Sequence, residues 1–193
     1  MNRRNLLQCT LVGATALLAG CWSRKFHALD ITGADYARDF SLSDAQGRVR
    51  TLADFRGKVV VLFFGYVQCP DVCPTTMSTM KEVKTLLGKD GDRLQVLFIT
   101  VDPERDTPAV MQAYMAAFDP SFIALIPTPP QLLALARDFK VYYKKAPGPT
   151  PTSYSMDHSA ADYIYDPQGH LRLYVRFGQS AQDIAQDVKV LLS

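Results

Sequence analysis

The sequence predicts an α/β domain: a central mixed sheet flanked by helices, with a hairpin extension at its N-terminal side. Three observations carry that prediction. An unbroken apolar, β-branched and aromatic run at 58–66 (KVVVLFFGY) has the pattern of a strand buried on both faces, and 93–101 (RLQVLFITV) reads as a second buried strand. A helical pattern separates them, which is how parallel neighbours are joined. Asp166-Pro-Gln-Gly169 is a strong turn between two more strand patterns, and it closes the sheet with an antiparallel hairpin.

Residues 1–20 (MNRRNLLQCTLVGATALLAG) read as an address rather than as fold. Arg3 and Arg4 precede a mostly apolar run from Leu6 to Ala19, and small residues close it, as in a secretory signal. The run is shorter than the roughly 20 residues of a membrane-spanning helix. Leu18-Ala19-Gly20-Cys21 resembles the bacterial lipobox, in which the cysteine is lipidated and becomes the first mature residue. Arg3-Arg4 also loosely resembles a twin-arginine export signal. The expected organisation is a lipoprotein signal peptide over 1–20, a membrane-proximal tether over 21–37 and one folded domain over 38–193. That domain is expected to be lipid-anchored and periplasm-facing in a bacterial cell envelope.

Within the domain, 40–42 and 49–51 flank Ser43–Gly47 as a hairpin. The strand over 58–66 leads to a helix over 75–87, with Met77, Met80, Val83 and Leu87 at helical spacing and Gly88 as its stop. After the strand over 93–101, Thr107-Pro108 opens a helix through Met111, Tyr114, Met115 and Phe118. A short strand over 121–126 and a helix over 130–138 follow. Residues 144–157 (KKAPGPTPTSYSMD) read as a long loop, and a loop of that length inside a domain is more often functional than idle. Strands over 160–165 and 171–177 and a helix capped by Ser180 complete the chain.

Composition excludes several function classes. The chain has 193 residues, 48% hydrophobic and 21% charged, which is ordinary for a globular protein. Formal charge is only +2, and removing the first twenty residues with Arg3 and Arg4 leaves 19 basic against 19 acidic side chains, so nucleic acid is not an expected partner. Of four cysteines, Cys9 leaves with the signal and Cys21 carries lipid. Cys69 and Cys73 remain, in an oxidising compartment.

These two follow the first central strand at the entrance to a helix, the arrangement of a thioredoxin-like domain. Each precedes a proline, Pro70 or Pro74, which disfavours helical geometry at both. Pro74 is therefore expected at the first helical position with Cys73 as N-cap, where free N–H groups favour thiolate over thiol. Two such sulfurs either exchange electrons through a disulfide or grip a soft metal. A third donor decides between these. His27 lies in the expected tether and His170 beside an exposed turn, whereas His158 ends the long loop and faces the cysteine turn. Cys, Cys and His suit copper. Asp71 suits a local turn, and Arg105 an ion pair within Asp102–Thr107. Met111 and Met115 suit a buried helix face, while Met156 is a weak thioether candidate.

The segment FFGYVQCPDVCPT (63–75), the stretch TVDPERDTP (100–108), and Asp157-His158-Ser159 with Tyr163 and Asp166–Gly169 resemble the Sco/SenC family. The resemblance covers the chain from about Phe40 onward. It implies a membrane-anchored, thioredoxin-like copper chaperone that serves the CuA centre of cytochrome c oxidase, with Cys69, Cys73 and His158 as copper ligands. Its partners would be the CuA-bearing oxidase subunit and, further, other copper chaperones or thiol–disulfide reductants. The resemblance also implies that the cysteines cycle between dithiol and disulfide. Many members carry histidine just before the first cysteine, where this chain has Gln68, so the surroundings of the sulfurs differ. The competing expectation is a thiol:disulfide reductase in which Cys69 and Cys73 are the catalytic pair; a peroxidase of the same fold has no motif of its own here.

Overall fold

In the computed structural model, which describes residues 26–150 and 153–193, the two long apolar runs lie side by side at the centre of an eight-stranded sheet. In chain order the strands are β1 (Leu29–Asp30), β2 (Leu42–Asp44), β3 (Val49–Arg50), β4 (Val59–Gly65), β5 (Leu94–Thr100), β6 (Ile123–Ile126), β7 (Tyr143–Pro147), β8 (Tyr154–His158), β9 (Ala161–Tyr165) and β10 (Leu171–Arg176). The helices are α1 (Val72–Leu87), α2 (Pro108–Phe118), α3 (Pro129–Asp138) and α4 (Ala181–Leu192). Sheet order is β1-β10-β9-β4-β5-β6-β2-β3. The β4–β5 and β5–β6 pairs are parallel and the others antiparallel, so the expected mixed sheet with its closing hairpin is present.

Every residue of β4 and β5 is buried, because helices cover both faces. On one face Phe63 packs edge-on against Phe98, and Phe98 against Tyr114 of α2. On the other, Phe64 and Tyr163 meet Phe139 just beyond α3, where the Tyr163 hydroxyl donates to the Phe139 carbonyl at 2.6 Å. Helix ends follow local chemistry: Thr107 accepts from the Val110 N–H, and Ser180 from the Asp183 N–H. Met111 and Met115 are buried, as their spacing predicts.

Three expectations are corrected. The loop over 144–157 is largely a hairpin: β7 and β8 pair antiparallel, from Tyr143↔His158 to Pro147↔Tyr154, as a second two-stranded sheet. Its prolines and serines hide the pairing. Helix α1 begins at Val72 with Asp71 as N-cap, so Cys73 is inside the first turn. Pro74 is accommodated there because the first N–H groups of a helix have no intrahelical acceptor to lose. Thirdly, the described part of the expected tether is docked on the domain. β1 pairs with β10, and buried Asp187 of α4 accepts from the backbone N–H groups of His27 (2.9 Å) and Ala28 (2.8 Å). The expected signal over 1–20 and the lipidation cysteine Cys21 lie outside the described residues. Among the described residues, no helix is long and apolar enough to cross a membrane.

Asp162 of β9 is fully enclosed, and its Oδ1 has no hydrogen-bond partner. Burial alone pushes its carboxyl up to about 8. The folded chain therefore keeps this proton up to about pH 8, whereas the unfolded chain releases it near pH 4. Because the folded state holds this proton between these limits, the contribution of Asp162 to stability falls as pH rises from about 4 to about 8. Urea unfolding of the wild type beside Asp162→Asn checks this: the stability of the wild type relative to the variant, which has no proton to lose, should fall across that range.

Candidate metal centre

Parallel strands β4 and β5 end on the same edge of the sheet, and the site is built there. The chain leaves β4 at Gly65, turns through Val67, Gln68 and Cys69, and enters α1. The turn is fixed by the Cys69 N–H on the Tyr66 carbonyl and by the Val67 N–H on the Asp106 carboxylate, 3.2 Å away. Asp106 is itself buried and accepts from the Thr100 hydroxyl at 2.6 Å. The cysteine turn is thus tied to the end of β5.

Cys73 is completely buried, and Gly65 makes room for it: a Cβ on Gly65 would stand 2.9 Å from the Cys73 sulfur. Cys69 is half-buried at the mouth of the site, and its Sγ accepts from the Cys73 N–H at 3.4 Å. Both cysteines are free thiols. His158 arrives from the end of β8, with its Nε2 at 3.5 Å from the Cys73 sulfur. The two sulfurs and a ring nitrogen of His158 all lie within 4.8 Å of one another, and this is the one such cluster among the described residues. The edges of Phe63 and Tyr66 pack against the imidazole, with centroids 6.0 and 5.8 Å away.

The Ser159 carbonyl lies 2.9 Å from His158 Nδ1, and a carbonyl can only accept. Nδ1 therefore carries the proton and Nε2 presents its lone pair to the sulfurs. Burial lowers the His158 pKa, opposed by the Ser159 hydrogen bond and by Asp157, so the neutral ring is the favoured form. Burial likewise pushes the Cys73 thiol far up, against a backbone hydrogen bond from Tyr66. This corrects the expectation that the helix N-terminus favours thiolate there: at zero exposure the desolvation of a charged sulfur outweighs it. In chemical terms the pocket holds two soft sulfurs and one neutral imidazole lone pair in a largely apolar wall. That donor set fits a soft metal ion.

The remaining singled-out residues sort plainly. His27 is exposed, as expected, and its ring contacts Gln186 and Asp183 of α4. His170 is exposed beside Asp166, as expected of a turn residue. Met156 is buried in the core, two residues from His158. Asp71 is exposed and caps α1 through its carbonyl, which accepts from the Thr75 N–H at 3.1 Å. Arg105 pairs with Asp102, as expected. Sequence reasoning missed its further reach: Arg105 also donates to Gln68 and to the Tyr154 carbonyl, and stacks on the Tyr154 ring. The period-two alternation of Tyr154, Met156 and His158 was the signal that could have revealed β8, and with it the neighbour of Arg105.

Fold and cluster together define a thioredoxin-like domain with a Cys–Cys–His centre at the strand–helix junction. The SCO1/SenC family pattern matches residues 30–193, and the chain belongs to that family. Among curated relatives, the mitochondrial SCO2 homolog of Bos taurus is 41% identical over 153 residues, covering 78% of this chain. The match spans 58% of the bovine protein, less than two thirds of its length. Among solved structures, copper-bound ScoI of Bradyrhizobium japonicum is 38% identical with a TM-score of 0.72, covering 79% of this chain and 97% of that one. Apo Sco1 of Thermus thermophilus is 36% identical with a TM-score of 0.76, covering 86% and 97%.

Gly65→Ala tests the close packing beneath Cys73. The added methyl would stand 2.6 Å from Phe63, 2.8 Å from Phe98 and 2.9 Å from the Cys73 sulfur, and the two rings are themselves locked in the core. The expected cost is about 1–3 kcal/mol, read by urea unfolding.

Proposed function

We propose that this protein is a membrane-tethered, extracytoplasmic copper-binding chaperone that delivers copper to, or prepares, the CuA centre of cytochrome c oxidase. Copper is its cargo, held by Cys69, Cys73 and His158. The observation that carries this reading is the convergence of both sulfurs with the unprotonated Nε2 of His158, three donors brought together from two separate segments. Thiolate sulfur and imidazole select Cu(I), and imidazole accepts Cu(II) as well; a closed structural zinc site would call for a fourth protein ligand. The copper in the Bradyrhizobium relative supports the same assignment. Loading requires the reduced dithiol, and the two thiols give up their protons as the ion enters. Lipidation at Cys21, after the signal over 1–20, would hold the domain at the membrane that contains the recipient oxidase subunit.

A second reading keeps the same cysteines. Cys69 is half-exposed and its sulfur lies against the Cys73 N–H, so the pair is also placed to act as a thiol:disulfide reductase. In that role Cys69 attacks a partner disulfide, Cys73 resolves the mixed disulfide, and two electrons and two protons pass to the partner.

Competition with a Cu(I) chelator under reducing conditions separates the two. The chaperone reading expects one copper per chain and a loss of more than about 100-fold in affinity for His158→Ala. Copper binding that is indifferent to His158, together with reductase activity that survives His158→Ala and disappears with Cys69→Ser, would establish the reductase instead.

A further inference from the structure

The hairpin that delivers His158 shares no ladder with the eight-stranded sheet. Two residues join it to β9 of that sheet, and beyond this link side chains hold it against the cysteine turn: Tyr66 packs on the His158 ring, and Arg105 touches both segments. Nη1 of Arg105 donates to the Gln68 side-chain carbonyl at 2.9 Å and to the Tyr154 backbone carbonyl at 2.8 Å. Gln68 directly precedes Cys69, and Tyr154 lies on β8 four residues before His158, on the same face of the strand. The guanidinium is stacked 3.6 Å from the centre of the Tyr154 ring and lies 5.8 Å from that of Tyr66. Its Nε is held by Asp102, and the Tyr154 hydroxyl donates to the same carboxylate at 2.9 Å.

A local ion pair for the loop after β5 needs only the Nε–Asp102 contact. The rest of this arrangement is not explained by it. The Arg105 side chain is only 20% exposed, and its Nη2 is buried with no hydrogen-bond partner, an unfavourable state for a strong donor. The guanidinium is kept there by what it bridges.

We infer that Arg105 is the positioning residue of the metal centre: it ties the turn bearing Cys69 to the hairpin bearing His158, and so sets the reach of the imidazole to the sulfurs. The inference rests on the copper reading above. A planar guanidinium that donates from Nε to Asp102 and from Nη1 to Gln68 and Tyr154 while stacking on an aromatic ring has no equivalent in lysine, so arginine is specifically required.

The test uses the full chain and Cu(I) competition titrations of Arg105→Ala, Arg105→Lys and Gln68→Ala, each beside thermal unfolding of the metal-free protein. Arg105→Ala and Arg105→Lys should keep one copper per chain but lose about 10–100-fold in affinity, the usual effect of removing a group that orients a ligand. With Cu(II) bound, the thiolate-to-copper absorption band should shift. Gln68→Ala removes one arm at an exposed side chain; it keeps the fold measurable if Arg105 variants unfold, and should show a smaller loss in the same direction. In the His158→Ala background, Arg105→Ala should cost nothing further, because it acts through the imidazole. Unchanged affinity in the Arg105 variants, or an equal loss with and without His158, overturns the positioning role while leaving the copper site intact. A wild-type chain that binds no copper overturns both.

Discussion

Parallel pairing of β4 with β5 over seven positions, from Val59↔Leu94 to Gly65↔Thr100, makes both strands end on one edge of the sheet. The Val101 N–H closes that edge on the Gly65 carbonyl at 2.8 Å. Two loops that are distant in sequence are thereby forced together: the cysteine turn after β4 and the Asp102–Thr107 segment after β5. Antiparallel β9 begins beside the same edge, so the hairpin before it must deliver His158 there. The site is a consequence of which strand ends coincide, and ligands of open α/β sheets gather at such carboxyl ends for the same reason.

This constraint explains what could be read from the sequence. Lys58–Tyr66 and Arg93–Val101 are largely apolar runs because both faces of these strands are covered, and a run of that kind is visible without any structure. Cys69 and Cys73 sit where such a strand meets a helix, and His158 immediately precedes another strand, so the three residues could be placed by topology alone. The SCO1/SenC membership agrees with the resemblance carried by those same segments. What escaped were features decided by contacts between remote residues. The pairing of β7 with β8 was masked by Pro147, Gly148 and Pro149. The docking of residues 27–28 depends on Asp187, about 160 positions away. The protonation of Cys73 depends on complete burial, which no local pattern at a helix N-terminus announces.

Burial also gives the centre its chemical character. Tyr66 and Phe63 wall the imidazole, and Gly65 lets a sulfur approach the strand backbone. Within that wall the uncharged forms of the Cys73 thiol and the His158 imidazole are favoured. A bound cation would reverse the balance, since its charge would make the sulfur anions favourable in the same apolar surroundings.

The separation of the β7–β8 hairpin from the main sheet has an evolutionary side. Lengthening a turn costs little in chain entropy, and here the turn lies beyond two strands that contribute no rung to the eight-stranded ladder. Descendants of such a chain can insert, shorten or recompose the tip beyond Pro147 while the register of the ligand-bearing elements stays fixed. The fold thus keeps its heritable chemistry in one place and its freedom to diverge in another, a few residues from the same histidine.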